Sequence, residues 1–255
     1  MHLSPPATTD VVLLSAGPGD LDLLTLGAVK ALAQAQILLL DELVDPEIVA
    51  LAPGARVIGV GKRGGCRSTP QQFICRLMRR YALQGLRVVR VKGGEALLFG
   101  RAGEEIAFLR RAGIGVRIIN GVSAAFAAAA GLGISLTHRD HCHGVSFVTA
   151  HTHDGGEPDW RALAATGTTL AIYMGVRRLD AIATSLRASL PGHTPAALVL
   201  DASRPSERCH LTTLAALGAL SSLADDRSPG VILVGNALAE AAAVLAPATL
   251  ACRAG

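Results

Sequence analysis

The sequence predicts an α/β protein of two domains, the first built on a parallel sheet and the second on a mixed sheet, with a cleft between them. Three observations carry this. Short β-branched runs alternate with stretches of helical period along the chain, and several of those runs end in glycine-rich loops. Near residue 210, two runs lie so close in sequence that they predict antiparallel pairing.

The first run, 11–16, stops at Gly17-Pro18-Gly19-Asp20, a strand entering a tight loop. Residues 21–35 follow with Leu24, Ala28, Val29 and Leu32 at helical spacing, and the apolar run 37–40 ends at Asp41. Strand, glycine loop, helix, strand is the order of a βαβ unit. A strand at 57–60 precedes Gly61-Lys62-Arg63, and a helix at 69–83 has Ser68 or Thr69 as its cap and Pro70 in its first turn. A strand at 87–91 runs into Lys92-Gly93-Gly94, a helix covers 103–112, and a strand at 116–119 ends at Asn120-Gly121. Five strands with crossover helices make residues 1–121 a doubly wound domain.

A small-residue helix at 123–132 leads into the second domain, residues 122–255. Strands are expected there at 144–149, 169–174, 197–200, 209–212 and 230–234, with helices at 179–189, 214–223 and 237–245. No internal period marks a solenoid.

Composition excludes several classes of function. Half of the 255 residues are hydrophobic and only 3% aromatic, so the core is built from Ala, Val, Leu and Ile. The net charge of +4 is dispersed without an aromatic-interleaved basic stripe; it points to an acidic partner, and a small polyanionic substrate explains it at least as well as nucleic acid. Five widely spaced cysteines without CxxC read as reduced thiols of a cytoplasmic protein. The N-terminal segment lacks the apolar stretch of a signal peptide. The weakly polar run 122–136 falls short of the ~18 residues of a membrane span, so no membrane partner is expected.

Three strand ends carry glycine loops: Gly17-Pro18-Gly19-Asp20, Gly61-Lys62-Arg63-Gly64-Gly65 and Lys92-Gly93-Gly94-Glu95. In a parallel sheet they share the carboxyl edge, where backbone passes close to a ligand. None matches a P-loop, and the first lacks the third glycine of a dinucleotide fingerprint. Taken singly, each could be an ordinary turn.

The ordered series of motifs resembles the tetrapyrrole methylases. It opens with Gly17-Pro18-Gly19-Asp20 before Leu23-Leu24-Thr25, and continues with Val60-Gly61-Lys62-Arg63 before Pro70-Gln71. Lys92-Gly93-Gly94 follows, then Phe99-Gly100-Arg101-Ala102-Gly103-Glu104-Glu105, Asn120-Gly121-Val122-Ser123-Ala124, Leu136-Thr137-His138-Arg139-Asp140 and Ile172-Tyr173-Met174-Gly175. Within the family the pattern is most similar to the members that methylate uroporphyrinogen III at C2 and C7, giving precorrin-2. That resemblance implies S-adenosylmethionine between the two domains, S-adenosylhomocysteine as its product, a tetrapyrrole substrate and a homodimer. It leaves open whether siroheme, cobalamin or haem d1 lies downstream.

The resemblance also implies roles for residues. Pro18, Gly93, Gly94, Glu95, Leu98, Ser123, Ala124, Met174, Ala202 and Gly230 fall at cofactor-binding positions, and Asp41 and Lys62 at acid–base positions. Arg101, Glu104, Arg139 and Met174 fall at positions that face the tetrapyrrole. Such chemistry needs no protein nucleophile, because a methyl sulfonium is already activated and the protein aligns the displacement. A base that takes a proton from the methylated ring fits Asp41, whose alternative is a loop cap. Bidentate arginines suit a ring of carboxylates, and the alternative for Arg101 or Arg139 is a surface charge or a pair with Glu104, Glu105 or Asp140.

Two stretches depart from the family pattern. Where the family has Gly-Gly-Asp-Pro-Phe, this chain has Gly93-Gly94-Glu95-Ala96-Leu97, and Asp201-Ala202-Ser203 stands where Asn-Gly-Thr is usual. They keep two other readings open: methylation of a later precorrin, or a non-catalytic tetrapyrrole- or cofactor-binding module. His138, His141, Cys142, His143, His151 and His153 cluster in sequence, yet their spacing matches no metal site and none is assigned.

Overall fold

The computed structural model describes residues 10–61, 69–151, 156–223 and 228–239. The chain divides into two compact units, Met1–Ser123 and Ala124–Gly255.

In the first unit, β1 (Val11–Ser15), β2 (Ile37–Leu40), β3 (Arg56–Gly59), β4 (Val88–Lys92) and β5 (Val116–Ile119) form one sheet in the order β3-β2-β4-β1-β5. Every pairing is parallel, with Val12 opposite Val89 and Leu39 opposite Arg90. β1 and β4 are buried along their whole length. Alternate residues face two apolar layers, as a doubly wound sheet requires. Leu13, Leu39 and Val88 pack with Met78 of α2 (Gln71–Ala82) and Leu109 of α3 (Ala102–Arg111). Leu14, Leu38 and Val91 pack with Leu32 of α1 (Leu26–Ala33) and Ile48 of the short helix Pro46–Leu51. Truncating Leu13 or Leu38 to Ala would cost about 2–5 kcal/mol.

In the second unit, β6 (Val145–Thr149), β7 (Thr169–Tyr173), β8 (Pro195–Leu200), β9 (Arg208–Thr213) and β10 (Gly230–Val234) take the order β6-β7-β10-β8-β9. β6 and β7 are parallel, and the other pairings are antiparallel, including the expected β8–β9 pair. The sheet is therefore mixed. On one face lies α4 (Ala124–Gly131), whose buried alanines meet Ala171 and Ala197. On the other lie α5 (Trp160–Ala165) and α6 (Leu179–Arg187) against Ile172, Leu198 and Ile232.

Several elements differ from expectation for local reasons. The helix expected at 21–35 is a single 3-10 turn, Leu21–Leu23, then α1. The Asp20 carboxylate accepts the Asp22 amide and caps the turn, and Thr25, which accepts the Ala28 amide, starts α1 afresh. Pro70, not Ser68 or Thr69, occupies the cap position of α2, and the Thr69 hydroxyl donates to the Gly61 carbonyl instead. Residues 214–223 form a 3-10 stretch, Leu217–Leu223, rather than an α-helix. The helix expected at 237–245 lies outside the described residues beyond 239, and Asn236–Leu238 is a 3-10 turn. Pro46–Leu51 and α5 were not expected; Asp45 caps the first and Asp159 the second, each accepting a backbone amide.

Candidate functional site

The loops after β1, β4 and β5 are tied together at the carboxyl edge of the parallel sheet. Gly17 and Gly94 exchange backbone hydrogen bonds, at 3.2 and 2.7 Å, and both have positive φ (+76° and +63°), which favours glycine. The Ala96 amide donates to the buried Ser15 hydroxyl at 2.9 Å. A Cβ on Gly121 would stand 2.8 Å from Ser15 Cβ, so the β5 loop rests directly on the end of β1. Glu95 completes the tie: Oε2 accepts the Gly121 amide, and Oε1 accepts the Leu97 amide and the Asn120 amide group. Leu98 turns back to Glu95 through a backbone bond of 3.0 Å, and Ser123, 5% exposed, closes the stretch after β5.

This edge leaves backbone open to a ligand. A Cβ added at Gly94 would meet nothing within 4 Å, so the backbone of the β4 loop faces open space. Pro18, Gly93 and Glu95 are half-buried beside it. At the opposite, amino edge, an open hollow of about 340 Å³ is lined by Asp10, Gln34, Arg87 and Arg117 among others. No glycine loop borders it, and the chemistry of the motifs lies at the other edge.

Asp41, immediately after β2, stands over a cluster of buried charges. Its Oδ2 accepts from Arg90 Nη2 at 3.0 Å and its Oδ1 from the Glu42 amide at 3.0 Å, and its side chain is 34% exposed. Arg90 is almost wholly buried, and so is Glu105, which also meets Lys92 Nζ at 3.4 Å and Gln71 Nε2 at 2.7 Å. Burial pulls the Lys92 ammonium below its ordinary value, against the upward pull of Glu105. Lys62, the other acid–base candidate, lies outside the described residues, as do positions 63–65 of its glycine loop.

Arg101 and Glu104 pair with each other. Two bonds of 2.8 Å join guanidinium and carboxylate at the exposed start of α3, with Arg101 in the left-handed region at φ +56°. Arg139 is exposed in the turn that follows His138, where Cys142 Sγ lies 3.3 Å from the Thr169 hydroxyl. His151 is exposed and His153 lies outside the described residues. Among the described residues, no group of three His, Cys, Asp or Glu side chains could hold a metal ion.

In the second unit, Met174, Ala202 and Gly230 share one edge of the mixed sheet. β7 and β8 both run antiparallel to β10, so their ends coincide with its start: Gly230 pairs with Leu200, and Val231 with Tyr173. Met174 has φ +56° and Asp201 and Ser203 have φ +52° and +65°, strained conformations at the points where chain leaves the sheet. Ala124 begins α4 beside them, because the Ala125 amide donates to the Tyr173 hydroxyl at 3.0 Å. Gly230 is demanded by packing: a Cβ there would lie 2.8 Å from both Leu200 and Val176 side chains. Ser15, Asn120, Arg90, Glu105 and Tyr173 all support these two edges; Ser15 and Arg90 were not singled out from sequence, and the other three were named as motif residues without this role.

Residues 10–218 match the family described as Tetrapyrrole (Corrin/Porphyrin) Methylases. The chain is 48% identical to the uroporphyrinogen-III C-methyltransferase of Pseudomonas aeruginosa, over 89% of this chain and 93% of that one. The crystal structure of uroporphyrin-III C-methyltransferase from Thermus thermophilus complexed with S-adenosylhomocysteine superposes with a TM-score of 0.78 at 38% identity, covering 91% of this chain and 99% of that one. A cobalt precorrin-4 methyltransferase of cobalamin biosynthesis superposes at 0.82 but shares only 27% identity, over 93% and 99% of the two chains.

Proposed function

Since this chain belongs to the tetrapyrrole methylase family, we propose that it methylates uroporphyrinogen III at C2 and C7, giving precorrin-2 through precorrin-1. The observation that carries this reading is the 48% identity to a uroporphyrinogen-III C-methyltransferase of nearly the same extent. The lower identity to the precorrin-4 enzyme, 27% against 38% for the uroporphyrin enzyme, argues against a later precorrin as substrate. A non-catalytic module is disfavoured too, because the relatives matched over nearly their whole length are named as methyltransferases.

When bound, S-adenosylmethionine supplies an activated methyl to an electron-rich pyrrole carbon and leaves as S-adenosylhomocysteine. The residues of this chain do the rest. Pro18, Gly93, Gly94, Leu98 and Ser123 offer the backbone edge that receives the cofactor, with Glu95 fixing the loop. Ala124, Met174, Ala202 and Gly230 contribute from the second unit. Once the ring carbon is methylated, the macrocycle must lose a proton, and Asp41 is held with both oxygens anchored and one side open to accept it. Lys62 takes the complementary acid–base role on the strength of the family resemblance. Arg101 and Arg139 bind substrate carboxylates, with Glu104 orienting Arg101.

The protein acts as a homodimer in the cytoplasm. Family resemblance supports the first statement, and widely spaced cysteines without a CxxC pair fit a reducing compartment for the second. Among the described residues, no helix is long and apolar enough to cross a membrane. The test is incubation with S-adenosylmethionine and enzymatically made uroporphyrinogen III, followed by mass and absorption analysis. Gain of two methyl groups is expected, and cofactor binding without any methyl gain sinks the reading.

A further inference from the structure

Arg90 occupies the middle of β4, the strand between β1 and β2, on the face covered by α2 and α3, and is 2% exposed. A buried guanidinium is costly unless its N–H groups are met, and replacing such a network by packed hydrocarbon is often neutral or stabilising. Stability alone therefore gives little reason for Arg90 to be there. Its contacts give a better one. Nη1 donates to the Val91 carbonyl at 3.1 Å and lies 3.5 Å from the Leu39 carbonyl, which fixes the guanidinium to two adjacent strands. Nε faces Glu105 at 3.4 Å, and Glu105 is itself braced by Gln71 and Lys92. Nη2 is directed at Asp41, the most open member of the cluster.

We infer that Arg90, backed by Glu105, is a positioning residue that holds the Asp41 carboxylate in place for proton removal from the methylated macrocycle. The inference rests on the acid–base role proposed above for Asp41. In that step a ring C–H bond breaks, its electron pair returns to the ring, and an O–H bond forms on Asp41. The ring loses its positive charge and the carboxylate its negative one. With Oδ1 on the Glu42 amide and Oδ2 on Arg90, the carboxylate has little freedom to rotate away.

A double-mutant cycle in the full chain tests this, with Arg90→Lys and Asp41→Asn alone and combined. The readouts are kcat, KM for uroporphyrinogen III and the calorimetric affinity for S-adenosylhomocysteine. Arg90→Lys keeps the charge but cannot span the carbonyls, Glu105 and Asp41 at once. It should lower kcat by about 10²-fold, with KM and cofactor affinity changed by less than about threefold. In the Asp41→Asn background it should lower kcat no further. Equal losses in both backgrounds overturn the inference, because Arg90 then acts only on the fold. Where Arg90→Lys does not fold, Glu105→Gln loosens Arg90 from behind with little change of shape, and the same criterion applies. Full kcat in Asp41→Asn removes Asp41 from the chemistry, and the inference with it, while methyl transfer stands. A parent chain that binds cofactor but transfers no methyl overturns the proposed function itself.

Discussion

The Glu95 carboxylate accepts the Gly121 amide at 2.7 Å through Oε2 and the Leu97 amide at 3.1 Å through Oε1, so one side chain joins the loop after β4 to the loop after β5. The departure from the family's Asp is absorbed by this geometry. The extra methylene lets the carboxylate cross to Gly121 while still capping its own loop.

Shortening that side chain should be tolerated better than reversing its charge. Glu95→Asp keeps an acceptor within the loop, and methyl transfer should stay within about an order of magnitude of the parent. Glu95→Lys leaves two backbone amides and the Asn120 side-chain amide without their acceptor and should weaken S-adenosylhomocysteine binding by at least about tenfold, or ~1.4 kcal/mol. Calorimetry decides this. Parent-like affinity in both variants would detach the loop from the cofactor.

Ala96 should resist replacement by the family's proline. Proline removes the amide that donates to Ser15 Oγ, at a cost of about 1–3 kcal/mol. Stiffening the unfolded chain returns only roughly 0.4–1 kcal/mol. Urea titration of Ala96→Pro should therefore show a net loss of about 1 kcal/mol. In a Ser15→Ala background the same change should be neutral or stabilising. A loss of equal size in both backgrounds would refute the account.

Arg101 and Arg139 should matter for substrate and little for stability. The exposed Arg101–Glu104 pair is worth ~0–1 kcal/mol once solvent screening is counted. Loss of one charge-assisted carboxylate contact to substrate is worth ~1.5–3 kcal/mol. Ala variants at either position should thus raise KM or lower kcat/KM for uroporphyrinogen III while unfolding near the parent's midpoint. Unchanged kinetics in both would leave them as surface charges.

His210 should give the fold an acid-side dependence. Burial, and then the nearby Arg208 charge, hold its imidazole below the ordinary value, and Nε2 is buried with no hydrogen-bond partner among the described residues. The unfolded chain takes up this proton before the folded chain does. The stability is therefore fully present above the unfolded value and is lost as pH falls through it towards the depressed folded value. Urea titrations from about pH 7 to about pH 5 should show a smaller loss in His210→Gln than in the parent. Parallel curves would clear His210 of the effect.

The glycine loops were legible because tight turns and close approach leave glycine as the residue that fits, and Gly17, Gly94 and Gly121 each meet such a demand. The alternation of strands and helices was legible for a similar reason, since hydrophobic period follows directly from which faces are covered. The charged cluster was not. Arg90 between Val89 and Val91 reads as the polar half of an alternating strand, and only the cover provided by α2 and α3 turns that position inward. Lys92 reads as the first residue of a glycine loop but is the last residue of β4, 4% exposed. Likewise, the break at Leu24 and Thr25 depends on two side-chain hydrogen bonds, from the Asp22 amide to Asp20 and from the Ala28 amide to Thr25, which no hydrophobic pattern records.

The sheet order also governs how the chain can be made. Among the described strands β1 is the earliest in sequence, yet its neighbours are β4 and β5, and its pairings with Val89 and Val116 must wait for those residues. Until then its apolar run has no partner, and neither hydrogen-bonding edge is satisfied. Long-range parallel pairing of this kind forms slowly and leaves an aggregation-prone segment exposed in the meantime. Val11–Ser15 is therefore the described strand that waits longest for its first partner.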